Sequence, residues 1–117
     1  MNKVQSHLQR AGRCWVEVKG VTLHRGGGLA EWPDCVSGRA VRHLTELEVM
    51  VAAGDRAVVL FVVQRTDCNA FAACRELDPA FASALDKAID AGVETLVYAC
   101  DVDIEGIRIT HPIPWKR

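Results

Sequence analysis

The chain has 117 residues, half of them hydrophobic and a quarter charged, with a net charge of −1. That supplies enough apolar material for one domain with a real core. The near-zero charge excludes binding to nucleic acid or membrane by bulk electrostatics, so such binding would need a local basic patch. Five cysteines, an odd number with no CxxC spacing, argue against a disulfide framework or a structural zinc site and suit a reducing cytoplasm. The N-terminus has no apolar core of signal-peptide type, and the longest apolar run, residues 57–63, is too short to cross a bilayer.

In chain order, "CWVEVKGVTL" (14–23) is rich in β-branched and aromatic residues and reads as a strand. "HRGGGLAEWPD" (24–34) reads as a loop punctuated by glycine and proline. Ser37 is placed to cap a helix whose buried stripe is Ala40, Leu44, Leu47 and Val51, with Gly54 ending it. "RAVVLFVVQR" (56–65) is a continuous apolar run, as expected of a central strand covered on both faces. Residues 66–78 read as irregular. Asp78 then caps a second helix with Pro79 at its first position, lined by Phe81, Leu85, Ala88 and Ile89 and closed by Gly92. "VETLVYACDV" (93–102) is a third strand, "DIEG" a turn, and "IRI" (107–109) a short antiparallel partner, followed by an irregular tail with two prolines. Strands alternating with helices imply a single α/β domain, residues 1–117, built on a mixed sheet flanked by helices.

Within the first strand, side chains alternate between faces, so Trp15, Glu17 and Lys19 share one face and Val16 and Val18 the other. Glu17 and Lys19 then stand roughly 7 Å apart at the backbone. A carboxylate beside an ammonium is the pairing a metal-assisted phosphodiester site uses. Glu17 would offer an oxygen ligand to Mg²⁺ or Mn²⁺, and Lys19 would hold water or offset phosphoryl charge. Spacing alone favours the plainer reading, a same-face ion pair. Asp34 is the candidate second carboxylate, although the sequence alone favours a turn or cap role ahead of the helix.

Arg39, Arg42 and His43 lie off the apolar stripe of the first helix and, with Lys19 and Arg25, form a candidate phosphate-binding patch. A solvated helix face is the alternative. Gln64 and Arg65 sit at the end of the central strand, where functional groups of α/β sheets gather. "RGGG" (25–28) lacks a following G-K-[S/T] and reads as a turn. The four histidines, His7, His24, His43 and His111, have no metal-ligand spacing.

Taken together, "VEVKGVTL", "WPDCVSGRAVRHLTEL", "AVVLFVVQRTD", "DPAFASALDKAIDAGVETLVYACDVDIEGIRI" and "PIP" come in the order found in the sugar fermentation stimulation protein family. The resemblance runs from about Trp15 to Pro114. It implies a domain similar to PD-(D/E)xK nucleases, DNA binding without marked sequence preference, and a link to sugar (maltose) metabolism in bacteria. The family's E-V-K block falls on Glu17, Val18 and Lys19. Its F-P-D-A block falls on Trp32 to Cys35, with Pro33 and Asp34 matching. In its E-R-G-x-K-H-L block Arg39, His43 and Leu44 match, Arg42 replaces lysine, and Gly38 and Ala40 depart. Its V-V-Q-R block falls intact on Val62 to Arg65.

Family members also resemble two-domain proteins with an OB-like domain ahead of the nuclease-like one. They carry an S-R-x-D segment before E-V-K whose aspartate is the expected first metal ligand. In this chain Glu17 is the first acidic residue, so the resemblance implies a nuclease-like domain lacking its N-terminal strands and that aspartate. The readings left open are a DNA-binding module, a metal-dependent phosphodiesterase or nuclease, and a structural remnant without activity.

Overall fold

The computed structural model describes residues 2–5 and 12–116; His7 lies outside them. Among the described residues, eight strands and two helices follow one another as β1 (Asn2–Gln5), β2 (Arg13–Val21), β3 (Leu23–His24), β4 (Leu29–Trp32), α1 (Gly38–Ala52), β5 (Arg56–Val63), β6 (Ala70–Ala73), α2 (Pro79–Asp90), β7 (Glu94–Asp103) and β8 (Gly106–Pro112). The main sheet has the order β1-β2-β5-β7-β8. Its inner pairs, β2 with β5 and β5 with β7, are parallel, and both edges are antiparallel. The mixed α/β architecture expected from the alternation of strands and helices is therefore present.

Both helices begin where the sequence places their caps. Ser37 Oγ accepts the Ala40 amide at 3.2 Å, and Asp78 Oδ1 accepts that of Phe81 at 3.0 Å. The stripes Ala40–Leu44–Leu47 and Phe81–Leu85–Ala88 are buried. They pack against Ala57, Val59, Phe61, Val63, Val97 and Ala99 in one core. Phe61 is its hub, 4.5 Å from Phe71, 6.1 Å from Trp32 and 6.5 Å from Phe81 between ring centroids.

Four segments differ from the sequence reading. A strand, β1, precedes β2 and pairs with it. The loop 24–34 and the segment 66–78, both read as irregular, contribute a second sheet of order β3-β4-β6. The tail adds to it as well: Trp115 bridges Phe71, and the Phe71 amide donates to Pro114 O at 2.9 Å. These strands are two to four residues long, and "AFAA" is poor in β-branched residues, so nothing local announces them. Gly26, Gly27 and Gly28 have φ of +130°, +69° and +73° and form the β3–β4 turn. Only glycine adopts three such values in succession without strain, which accounts for the "GGG".

Candidate functional site

β2 runs beside the central strand with Glu17 opposite Val59 and Lys19 opposite Phe61. Val59 and Phe61 face the helices, so Glu17 and Lys19 point to the packed side of the sheet, beside α1. Their side chains are only 13% and 12% exposed. Charges this sheltered must be compensated, and they are. Lys19 Nζ lies 3.0 Å from Glu17 Oε1. His43 Nδ1, from α1, lies 3.0 Å from the same oxygen and 3.2 Å from Lys19 Nζ. The Lys19 ammonium also sits 5.3 Å from the centroid of the Trp32 ring.

Burial alone would raise the Glu17 carboxyl. The Lys19 hydrogen bond and charge, with the charge of His43, outweigh it and hold the group below its ordinary value. Glu17 thus stays ionised, as a hard-cation ligand or a phosphate-site anchor must.

The other candidates are distributed around this centre. Arg39 and Arg42 are exposed on α1, within one turn of His43. Asp34 is exposed and lines a 40 Å³ cleft with Gly20, Thr22, Leu23, Glu31 and Trp32. Gln64 is exposed but its amide lies against Gly20, where a Cβ would come within 3.1 Å of Nε2. Arg65 turns away to Asp67, at 2.8 and 2.7 Å, and to Thr22 O.

Arg25, read as part of the same patch, is engaged elsewhere. It grips the buried Glu31 through Nε and Nη2 at 2.9 and 3.0 Å and reaches Glu76 at 2.8 Å. The Arg25 hydrogen bonds hold the Glu31 carboxyl below its ordinary value against the opposing effect of burial.

That direction fixes a pH dependence. A carboxyl depressed in the folded state contributes stability above the unfolded value, about 4.3. The contribution is lost as pH falls through the lower folded value. Urea midpoints measured from pH 6 downward should therefore fall less steeply in Glu31→Gln than in the wild type. Parallel profiles would show that the pair does not act in this way.

One group the sequence does not announce is His24, Asp67 and Cys68, whose ligand-type atoms lie within 4.8 Å of one another. His24 and Asp67 are far apart in the chain, so only the β3–β4 hairpin brings them together. The group is already bonded: His24 Nδ1 lies 3.3 Å from Asp67 Oδ2 and Cys68 Sγ donates to Asp67 Oδ1 at 3.6 Å, while Arg65 covers both Asp67 oxygens and His24 Nε2 accepts the Gly28 amide at 3.2 Å.

A mixed sheet carrying an E-x-K pair beneath a helix defines an α/β domain with a sheltered, charge-compensated polar centre. The family model described as "Sugar fermentation stimulation protein RE domain" matches residues 3–106, and the chain belongs to the sugar fermentation stimulation protein family. It is 56% identical over 103 residues to a sugar fermentation stimulation protein homolog of Caulobacter vibrioides, covering 88% of this chain and 43% of that one. The homolog of Rhodospirillum centenum is 52% identical over 102 residues, covering 87% and 44%. Among solved structures, Pyrococcus furiosus SfsA in complex with Ca²⁺ superposes with a TM-score of 0.81 at 31% identity, covering 91% of this chain and 46% of that one. The chain thus spans less than half the length of these relatives.

Proposed function

We propose that the chain is a nuclease-like, PD-(D/E)xK-type domain that binds DNA through its phosphates without marked sequence preference, in the service of sugar (maltose) metabolism. The observation that carries this reading is the Glu17–Lys19–His43 centre, with Arg39 and Arg42 exposed on the helix that supplies His43. A lysine ammonium has three donors, so its contact with Glu17 does not exhaust them and a phosphate oxygen can take another. Arg39 and Arg42 extend the contact along the strand of nucleic acid, where each cation displaces a condensed counterion.

The Ca²⁺ in the Pyrococcus relative supports a divalent ion for this chain, Mg²⁺ or Mn²⁺ in a nuclease. Glu17 fits such an ion because its carboxylate stays ionised and its contacts with Lys19 and His43 both fall on Oε1. Glu17 would hold the ion, with Asp34 as the candidate second carboxylate. When bound, such an ion polarises a phosphoryl oxygen.

Binding and cleavage separate experimentally. Retention of a labelled duplex should fall with salt, and removing both arginines (Arg39→Ala with Arg42→Ala) should lower the slope of log affinity against log salt by about 2. An unchanged slope would remove the helix face from the interface. Plasmid incubated with Mg²⁺ or Mn²⁺ tests the catalytic reading: cleavage should be lost in Glu17→Ala and Lys19→Ala. Cleavage that survives Glu17→Ala would sink the proposed site. Retention without cleavage would leave a DNA-binding module, and neither would leave a structural remnant.

A further inference from the structure

Trp32 ends β4, the middle strand of the second sheet. It is held there from two directions. Its backbone is paired opposite Ala73 of β6, and its carbonyl accepts the Cys74 amide at 2.8 Å. Its ring is wedged by the core, edge-to-face with Phe81 at 4.8 Å and tilted against Phe61 at 6.1 Å between centroids. Lys19 Nζ lies over this fixed ring, 5.3 Å from its centroid.

Lys19 needs such a support. Its ammonium sits at the end of a flexible four-carbon stem, in a place where the side chain is only 12% exposed. Its polar contacts are with Glu17 Oε1 at 3.0 Å and His43 Nδ1 at 3.2 Å. Glu17 is also the carboxylate that would hold a divalent ion, and its negative charge is then shared. An indole face attracts an ammonium within about 6 Å through its quadrupole, and tryptophan does so best among the aromatic residues. The ring carries no net charge. Unlike a carboxylate, it holds the ammonium without cancelling its charge and without repelling a phosphate.

We infer that Trp32 is a positioning residue of the site: its ring fixes the Lys19 ammonium in place and leaves that charge for an incoming phosphate oxygen. The inference rests on the reading of the site as one that binds phosphate. It gives the second sheet a task beyond closing the core, because β4 reaches Lys19 only through its pairing with β6.

The test is a double-mutant cycle, which isolates the coupling between two side chains. Wild type, Trp32→Phe and Trp32→Leu, each with Lys19 intact and with Lys19→Met, are compared for retention of a labelled duplex at fixed salt and for the urea midpoint. Circular dichroism establishes that each variant is folded. Should Trp32→Leu fail to fold, Trp32→Phe carries the same cycle. With Lys19 present, Trp32→Leu should weaken retention about tenfold and Trp32→Phe about two- to threefold. With Lys19→Met, neither should change retention, and the fall in urea midpoint caused by Trp32→Leu should be smaller. A ring that only packs against Phe61 and Phe81 would cost the same in both backgrounds, so equal losses overturn the inference. If the wild type retains no duplex, the phosphate reading fails and the urea cycle decides alone. A Trp32 effect that depends on Lys19 then supports the inference, and an additive one overturns it.

Discussion

Truncating Phe61 to alanine is expected to cost about 4 kcal/mol of folding stability, the largest single effect in this domain. The side chain is fully buried on the central strand, and Trp32, Phe71 and Phe81 converge on it from β4, β6 and α2. It is where the second sheet and the second helix are joined to the first sheet. Removing the ring opens a cavity whose walls belong to three different elements, so no single movement closes it. For a domain whose total stability is roughly 5–15 kcal/mol, the urea midpoint should fall by a large fraction of its value with the slope unchanged. Phe61→Leu, which refills much of the volume, should cost about 1–1.5 kcal/mol. A loss below about 1 kcal/mol in Phe61→Ala would show that the aromatic cluster is not the joint described.

Asp78→Ala should cost about 3 kcal/mol, from two bonds of different kinds. Asp78 is 1% exposed. Its Oδ1 caps α2 through the Phe81 amide, and its Oδ2 accepts the Ser37 amide at 2.8 Å. The cap is worth about 1 kcal/mol, and a charge-assisted bond to a second, half-buried amide about 2. One carboxylate therefore ties the start of α2 to the residue that caps α1, and so fixes the Asp34–Val36 loop that leads into the candidate site. The melting temperature should drop by roughly 10 °C, and hydrogen exchange at the Ser37 and Phe81 amides should quicken ahead of the rest. Asp78→Asn keeps an acceptor oxygen and should recover part of the loss. Equal loss in Asn and Ala would mean that the charge, rather than the bond geometry, dominates.

The four longer strands β2, β5, β7 and β8, both helices and their caps were legible because each rests on a local rule. Alternation, an apolar run, a 3.6-residue stripe and a capping side chain are all properties of neighbouring residues. Asp78 shows the limit of such rules. The sequence marks it as the cap of α2, but its second bond, to Ser37, exists only because α1 and α2 pack side by side. Likewise Glu17 and Lys19 were recognisable as a same-face pair, and both readings of them meet in the structure. They do form an ion pair, and His43 joins it from a helix whose distance from β2 no spacing rule encodes.

What the sequence by itself determined was the family, the mixed α/β order of elements and the shared face of Glu17 and Lys19. Periodicity and ordered blocks of residues survive without coordinates. Only the tertiary structure decided the second sheet, the withdrawal of Arg25 to Glu31, and the arrival of His43 beside Glu17 and Lys19. Each depends on partners far apart in the chain: "LAEW" becomes a strand because "AFAA" lies beside it, and Glu31 can be buried because Arg25 folds back over it. A continuous apolar run says that a strand is central and buried, as β5 is, whereas only the tertiary structure decides that both helices lie against its odd-numbered residues.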